Sequence, residues 1–399
     1  MTNPPVSREA GRARVAVALL FLTNGAIFAN LLPRYPAIKE ALGLSNAEFG
    51  IAVASFPLGA LVAGLAAGAL IRRFRSSRVA VAGTILTAIG VLAAGVSPVW
   101  ALLAAGLFVA GAMDAITDVA QNSHGLRVQR LYGRSILNSF HAVWSIGAVL
   151  GGLMGAAAAG LGVPLGVHLA ASAALFIVVS LVSYRLMLRG PEPVEEAAAP
   201  LPTARIRSVR GARIARYGVL VALVLIAAGG SVVEDAGSTW SAIYLSGSLG
   251  AGASVAAFGF IALVGAQFVG RLIGDRLVDR FGQRAVARTG GIIAALGMGL
   301  ALVFPSIPGT IAGFAAAGLG IATLVPAAMH AADELPGLKP GSGLTIVSWL
   351  MRLGFLLSPP IVGVVADASS LRTGLFVVPL AGVVVAVLAV VLRKRMPAT

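Results

Sequence analysis

Asp114, Asp118, Glu234, Asp235 and Arg352 place charge in the interior of long apolar runs of this chain. Asp114 and Asp118 are four residues apart, so on a helix they project from one face. Two carboxylates that close in a poorly solvated site disfavour double ionisation. A carboxyl that accepts and releases a proton is what proton coupling needs. His141 falls at a similar depth on the next apolar run, where it either relays a proton to Asp118 or serves only as a hydrogen-bond anchor. The plainer role for Asp118 is to tie neighbouring helices together through Asn122, Asn138 or His141. Glu234 and Asp235 are adjacent and cannot point the same way on a helix, so their roles differ. They follow Gly229-Gly230, a pair expected to permit a local break of the kind that shapes transport sites. Arg352 either pairs with Asp235 or meets an anionic group of a ligand. The amides Asn24, Asn30, Gln121, Asn122 and Gln267, with the aromatic face of Trp240, are the further candidates for contact with a polar solute. Trp144 and Trp349 read as packing, and Trp100 suits an interfacial belt.

These residues need a scaffold, and composition dictates its type. The chain is 58% hydrophobic and 11% charged, against about a quarter charged in soluble domains. Each Asp or Arg at the centre of a membrane helix carries roughly 2.5 to 3.5 kcal/mol, so five of them amount to on the order of 10 kcal/mol unless paired or hydrated. The expectation is that they face a bundle interior. A bilayer core needs about 20 apolar residues per helix, and twelve runs qualify. They are 15–35, 46–71, 79–96, 98–123, 135–160 and 164–187, then 216–246, 251–274, 284–304, 307–330, 341–366 and 372–392. The first run follows Arg8, Arg12 and Arg14 without a small-residue cleavage site, which reads as a retained span rather than a signal peptide.

The basic residues test the layout. With the N-terminus in the cytoplasm, 26 of the 30 Lys and Arg fall on the inner side. The outer side holds Arg34, Lys39 and Arg372, and Arg352 lies within a span. That asymmetry places both termini inside. It also accounts for a net charge of +15 without nucleic acid, since the basic residues face anionic lipid. Glycine is frequent, at 50 residues, which suits closely packed membrane helices. No cysteine is present and the four histidines are scattered, so no metal spacing and no thiol chemistry arise. Glycine runs of the GxGxxG kind sit in apolar spans and read as packing, not as nucleotide loops.

Six spans, a Pro- and Glu-containing linker and six more spans define the expected organisation: an N-terminal bundle over 1–187, a cytoplasmic linker over 188–215 and a C-terminal bundle over 216–399. The loop after span 2 reads GALIRRFRSSR from Gly68 to Arg78, and that after span 8 reads GRLIGDRLVDRFGQR from Gly270 to Arg284. The second, with Asp279, Arg280, Gly282 and Arg284 in order, resembles the inner-loop signature of the major facilitator superfamily. The first departs from it, with Arg72 where an aspartate is usual. Further segments resemble the fucose–proton symporter-like branch and its uncharacterised bacterial relatives: Asp118-Val-Ala-Gln-Asn122, Glu234 to Trp240, Pro326, Gly341-Ser342, and Pro359-Pro360 with Gly363 and Asp367. Arg352 departs from that branch, where small residues are usual.

The resemblance implies an all-α membrane protein of twelve transmembrane helices in two pseudo-symmetric six-helix bundles. It implies a monomeric secondary transporter of the bacterial cytoplasmic membrane, moving a small polar solute such as a sugar or sugar-like metabolite by alternating access, with protons as the coupling ion and no cofactor. On that reading Asp118, Glu234, Asp114 and His141 are proton-coupling candidates, and Glu234 faces the cavity because it holds the matching family position. Arg72, Arg73, Asp275, Asp279 and Arg280 are the inner-loop gating candidates. The alternative is proton-coupled efflux of a drug or metabolite. Exporters of the superfamily usually carry a glycine-rich motif in span 5 ending in Gly-Pro, whereas Gly147, Gly151, Gly152 and Gly155 here have no such proline.

Overall fold

The computed structural model describes residues 7–133, 136–190, 210–336, 338 and 341–392. Most of the expected linker lies outside these, as do Arg134, Lys339, Arg393, Lys394 and Arg395. Every regular element among the described residues is a helix. Twelve candidate spans, numbered 1 to 12 in chain order, run Arg8–Ala41, Asn46–Gly64, Ser76–Gly95, Trp100–Tyr132, Leu137–Gly160 and Leu165–Leu186, then Arg216–Ser248, Ala253–Phe281, Gln283–Val303, Ile307–Asp333, Ser342–Ala368 and Leu371–Val391. The chain divides into two compact units, Met1–Val194 with Gly252–Ala257, and Glu195–Ala251 with Phe258–Thr399.

Local chemistry sets the helix ends. Span 2 begins with a capping box, in which the Ser45 hydroxyl accepts from the Glu48 backbone N–H and the Glu48 carboxylate accepts from the Ser45 backbone N–H. Span 4 ends on Gly133 in the left-handed conformation. Arginines also bond carbonyls at two helix C-termini and in two of the turns that follow helices. Arg34 donates to the Val163 carbonyl at 2.8 Å and Arg127 to that of Arg189 at 2.6 Å. Arg284 donates to Leu392 at 2.9 Å and also to Val390, while Arg372 reaches the carbonyls of Leu302 and Val303. The last carbonyls of a helix lack intrahelical partners and carry partial negative charge, so a forked cation serves them well.

Glycine lets the helices approach backbone to backbone. A Cβ on Gly25 would strike the Trp144 carbonyl, and side chains on Gly147 and Gly151 would strike the carbonyls of Leu22 and Ala26. The glycines of span 5 thus form a seam against span 1. The same logic recurs in both halves with a constant offset. Gly83, Gly90, Gly106 and Gly111 have counterparts 207 residues on, at Gly290, Gly297, Gly313 and Gly318. Gly83 meets the Met113 carbonyl and Gly290 that of Gly320; Gly111 meets Phe56 and Gly318 meets Leu263. Each partner is again 207 residues from its equivalent. Arg73 over the Phe74 ring and Arg280 over Phe281 repeat the relation.

At one equivalent pair the two halves differ in residue type but not in backbone. Gly282 has φ 82° and ψ 154°, and Arg75 has φ 76° and ψ 146°. The expected break at Gly229-Gly230 is absent: the helix runs unbroken from Arg210 to Ile243 and ends in a π turn over Tyr244–Ser248. Both glycines are taken up by packing, Gly229 beneath Val385 and Gly230 beneath Val325 and Leu324. Irregular turns lie elsewhere, at Ala322 and Thr323 in span 10 and at Met351 in span 11.

Candidate functional site

In the N-terminal unit the polar residues fall into linked groups on spans 1, 4 and 5. Asn24 on span 1 donates through Nδ2 to Asp114 Oδ1 at 2.6 Å, and its Oδ1 accepts from the Trp144 indole N–H at 2.9 Å. One turn along span 4, Asn122 Nδ2 donates to Asp118 Oδ1 at 3.0 Å and to the Asp118 carbonyl at 2.8 Å. With its amide N–H groups engaged there, Asn122 offers Oδ1 to His141 Nε2 at 3.2 Å. His141 Nε2 therefore carries the hydrogen. The Gln121 amide reaches Asp118 Oδ1 at 3.4 Å, and the His141 ring stands edge-on to Phe21 at 5.2 Å.

Asp118 and His141 are exposed, whereas Asp114, one turn back on the same face of span 4, is half-buried. Asn122 bridges Asp118 and His141, donating to Asp118 Oδ1 and accepting from His141 Nε2.

Asn30 and Gln121 are fully buried. Asn30 belongs to a separate knot at the far end of span 1, where its Oδ1 accepts from His168 Nε2 at 2.9 Å and Ser172 Oγ at 3.3 Å. That knot holds spans 1 and 6 together and turns Asn30 away from any open surface.

In the C-terminal unit Gln267 on span 8 donates to Glu234 Oε2 at 2.8 Å. Glu234 is half-buried, and the amide fixes one of its oxygens. Asp235 points elsewhere, as adjacency requires, toward the hydroxyls of Ser358 and Thr239. No ion pair joins Asp235 to Arg352 among the described residues. Arg352 begins the second half of span 11 immediately after the irregular Met351, and is half-buried. Trp240 is fully buried: its ring is core, and the aromatic face expected for a solute is not presented. Trp349 is 50% exposed, against the expectation of packing. Arg72, Arg73, Asp275, Asp279 and Arg280 are all exposed at helix ends.

Residue type and spacing missed Trp144, read as packing. Its donor role depends on the registry of spans 1 and 5, which is set by the glycine seam. The signal lay in the spacing of Gly147 and Gly151 downstream of it.

The model of the Major Facilitator Superfamily matches residues 17–278 and 235–399. The chain belongs to the Major Facilitator Superfamily. It is thus a secondary transporter and not an enzyme. It is 32% identical over 379 residues to the uncharacterized transporter y4wD of Sinorhizobium fredii, covering 95% of this chain and 97% of that one. It is 29% identical to the membrane protein MosC of Rhizobium meliloti, covering 93% and 88%. The solved outward conformation of the transporter FucP superposes with a TM-score of 0.61 at 20% identity, over 96% of this chain and 99% of that one. That likeness is one of fold. The expected kinship with uncharacterised bacterial transporters of the superfamily is borne out by the sequence relatives.

Proposed function

We propose that this transporter couples the movement of a small polar solute, of the sugar or sugar-like class, to protons by alternating access in the bacterial cytoplasmic membrane. The observation that carries the reading is the Asp118–Asn122–His141 group on the exposed side of span 4, beside the more enclosed Asp114. A hydrogen-bonded carboxylate, an amide and an imidazole at one place offer both a proton acceptor and donors and acceptors for hydroxyl groups. Protonation of Asp118 removes the charge that holds Asn122, which frees the amide for a solute and links proton to substrate. The fucose–proton symporter and the D-xylose–proton symporter share the fold, and their activities agree with this reading without extending to it. Both termini in the cytoplasm and a polar linker over 188–215 joining the bundles belong to the same proposal.

The test begins with the purified protein in detergent at two pH values, screened for thermal stabilisation by neutral sugars, sugar acids, nucleosides, amino acids and lipophilic cations. Vesicles loaded with the stabilising compound then report accumulation under a pH gradient. Asp118→Asn is expected to abolish pH-driven accumulation while counterflow exchange survives. Unchanged accumulation removes Asp118 from the coupling, and stabilisation by bulky lipophilic cations alone replaces symport by export.

A further inference from the structure

We propose that Trp144 is a positioning residue that controls the protonation of Asp114 through Asn24, an inference that rests on Asp114 being one of the coupling acids. Indole Nε1 is a donor only. Its 2.9 Å bond to Asn24 Oδ1 therefore fixes which way the Asn24 amide faces. The NH2 group is turned to Asp114, 2.6 Å from Oδ1, and the carbonyl is withdrawn from it. So held, Asn24 donates to the carboxylate and cannot accept from a protonated carboxyl. Without the indole N–H the amide is free to rotate half a turn and accept from the acid instead. The lock therefore favours one protonation state, and its strength lies on a residue that never touches Asp114.

The backbone keeps this lock rigid. Gly25, next to Asn24, abuts the Trp144 carbonyl, and Gly147 abuts that of Leu22. Spans 1 and 5 thus meet where the bond forms, and neither has room for a side chain that would part them. Asn24 is buried at 7% exposure, so water is a poor substitute for the lost donor.

Among the described residues the ionisable groups around Asp114 are few. Asp118 lies one turn along the same span and acts on it directly. Span 5 contributes His141, bonded to Asn122. Span 1 carries Arg8, Glu9, Arg12, Arg14, Arg34, Tyr35, Lys39 and Glu40, the nearest of them, Arg14 and Arg34, about 15 Å from Asn24 along the axis. Span 2 has Glu48 in its capping box, the helix after it has Arg72 and Arg73, and span 3 has Arg78 in its first turn.

Trp144→Phe removes the N–H and keeps the ring. The experiment is infrared difference spectroscopy of the purified protein in lipid during a pH titration, following the protonated-carboxyl C=O band that Asp114→Asn abolishes. No substrate is needed. In Trp144→Phe the band is expected at half height about one pH unit higher, the displacement for loss of one charge-selective hydrogen bond. Asn24→Ala is expected to move it in the same sense, and adding Trp144→Phe to Asn24→Ala to move it no further. An unmoved midpoint in both single variants overturns the proposal, as does a further shift in the double variant. If no band is sensitive to Asp114→Asn, the underlying assignment of Asp114 has failed instead. Should Trp144→Phe fail to fold, Trp144→Met, which also lacks the N–H, takes its place in the same comparison with Asn24→Ala.

Discussion

A buried histidine shows how much a single side chain settles here. His124 is fully buried, with Nδ1 2.9 Å from Ser76 Oγ and Nε2 accepting from the Leu188 backbone N–H at 3.2 Å. Because Nε2 accepts, the hydrogen is on Nδ1 and is given to Ser76. The ring thus joins the start of span 3, the body of span 4 and the chain leaving span 6. His124→Phe strands both partners, at about 1–3 kcal/mol for each group left without its bond. A fall in the thermal unfolding midpoint in detergent, with Ser76→Ala giving part of it, is the expected result. Residues of this sort are hard to read from sequence, because a lone polar residue in an apolar run has the same appearance as a functional one. The acids were legible: charge inside a span is uncommon enough to mark Asp114, Asp118, Glu234 and Asp235 outright. Their partners were partly so. Asn122 is four residues from Asp118 and follows from helical spacing, whereas Gln267 lies 33 residues from Glu234 and only the fold joins them.

At the scale of elements, the loops that join spans 2 to 3 and 8 to 9 carry the clearest contrast. A backbone with φ near 80° and ψ near 150° is almost confined to glycine. The C-terminal half uses Gly282 there and the N-terminal half uses Arg75. Arg75→Gly is expected to stabilise the protein by about 1–3 kcal/mol, and Gly282→Ala to destabilise it by a similar amount. Thermal unfolding of the two variants against the parent checks both signs. The span 1–span 5 seam gives a second expectation. Gly147→Val drives two methyl groups into the Leu22 carbonyl, so it lowers the yield of folded protein, whereas Gly11→Val on the same span 1, with open space around it, does not. Spans were legible because twenty apolar residues are a strong and local signal. Breaks were not. Gly229-Gly230 looked like a weak point, yet Val385, Val325 and Leu324 fill the space beside it, and packing overrides the low helix propensity of glycine.

Over the whole molecule, the packing is duplicated but the chemistry is not. The 207-residue offset that maps Gly83 to Gly290 and Gly111 to Gly318 maps Asp114 to Ile321 and Asp118 to Val325; run backwards, it maps Glu234 to Ile27. Each half therefore keeps the repeat where helices touch and abandons it at the acids inside the spans. The orientation in the membrane is open to a direct check, since the chain has no cysteine of its own. A single cysteine at Glu40 is expected to react with an impermeant maleimide on intact cells, and one at Arg130 only after permeabilisation. The reverse pattern inverts the topology.

The arginine–carbonyl contacts at the helix ends bear on how such a machine survives its own working cycle. A guanidinium keeps its charge throughout the physiological range and a peptide carbonyl never titrates. Arg34, Arg127, Arg284 and Arg372 thus fasten the bundle ends with bonds that are blind to acidity. An ion pair with aspartate would loosen as the compartment acidified and the carboxylate took up its proton. If protons drive the cycle as proposed, rivets that ignore the fuel leave the response to acidity with the acids inside the spans.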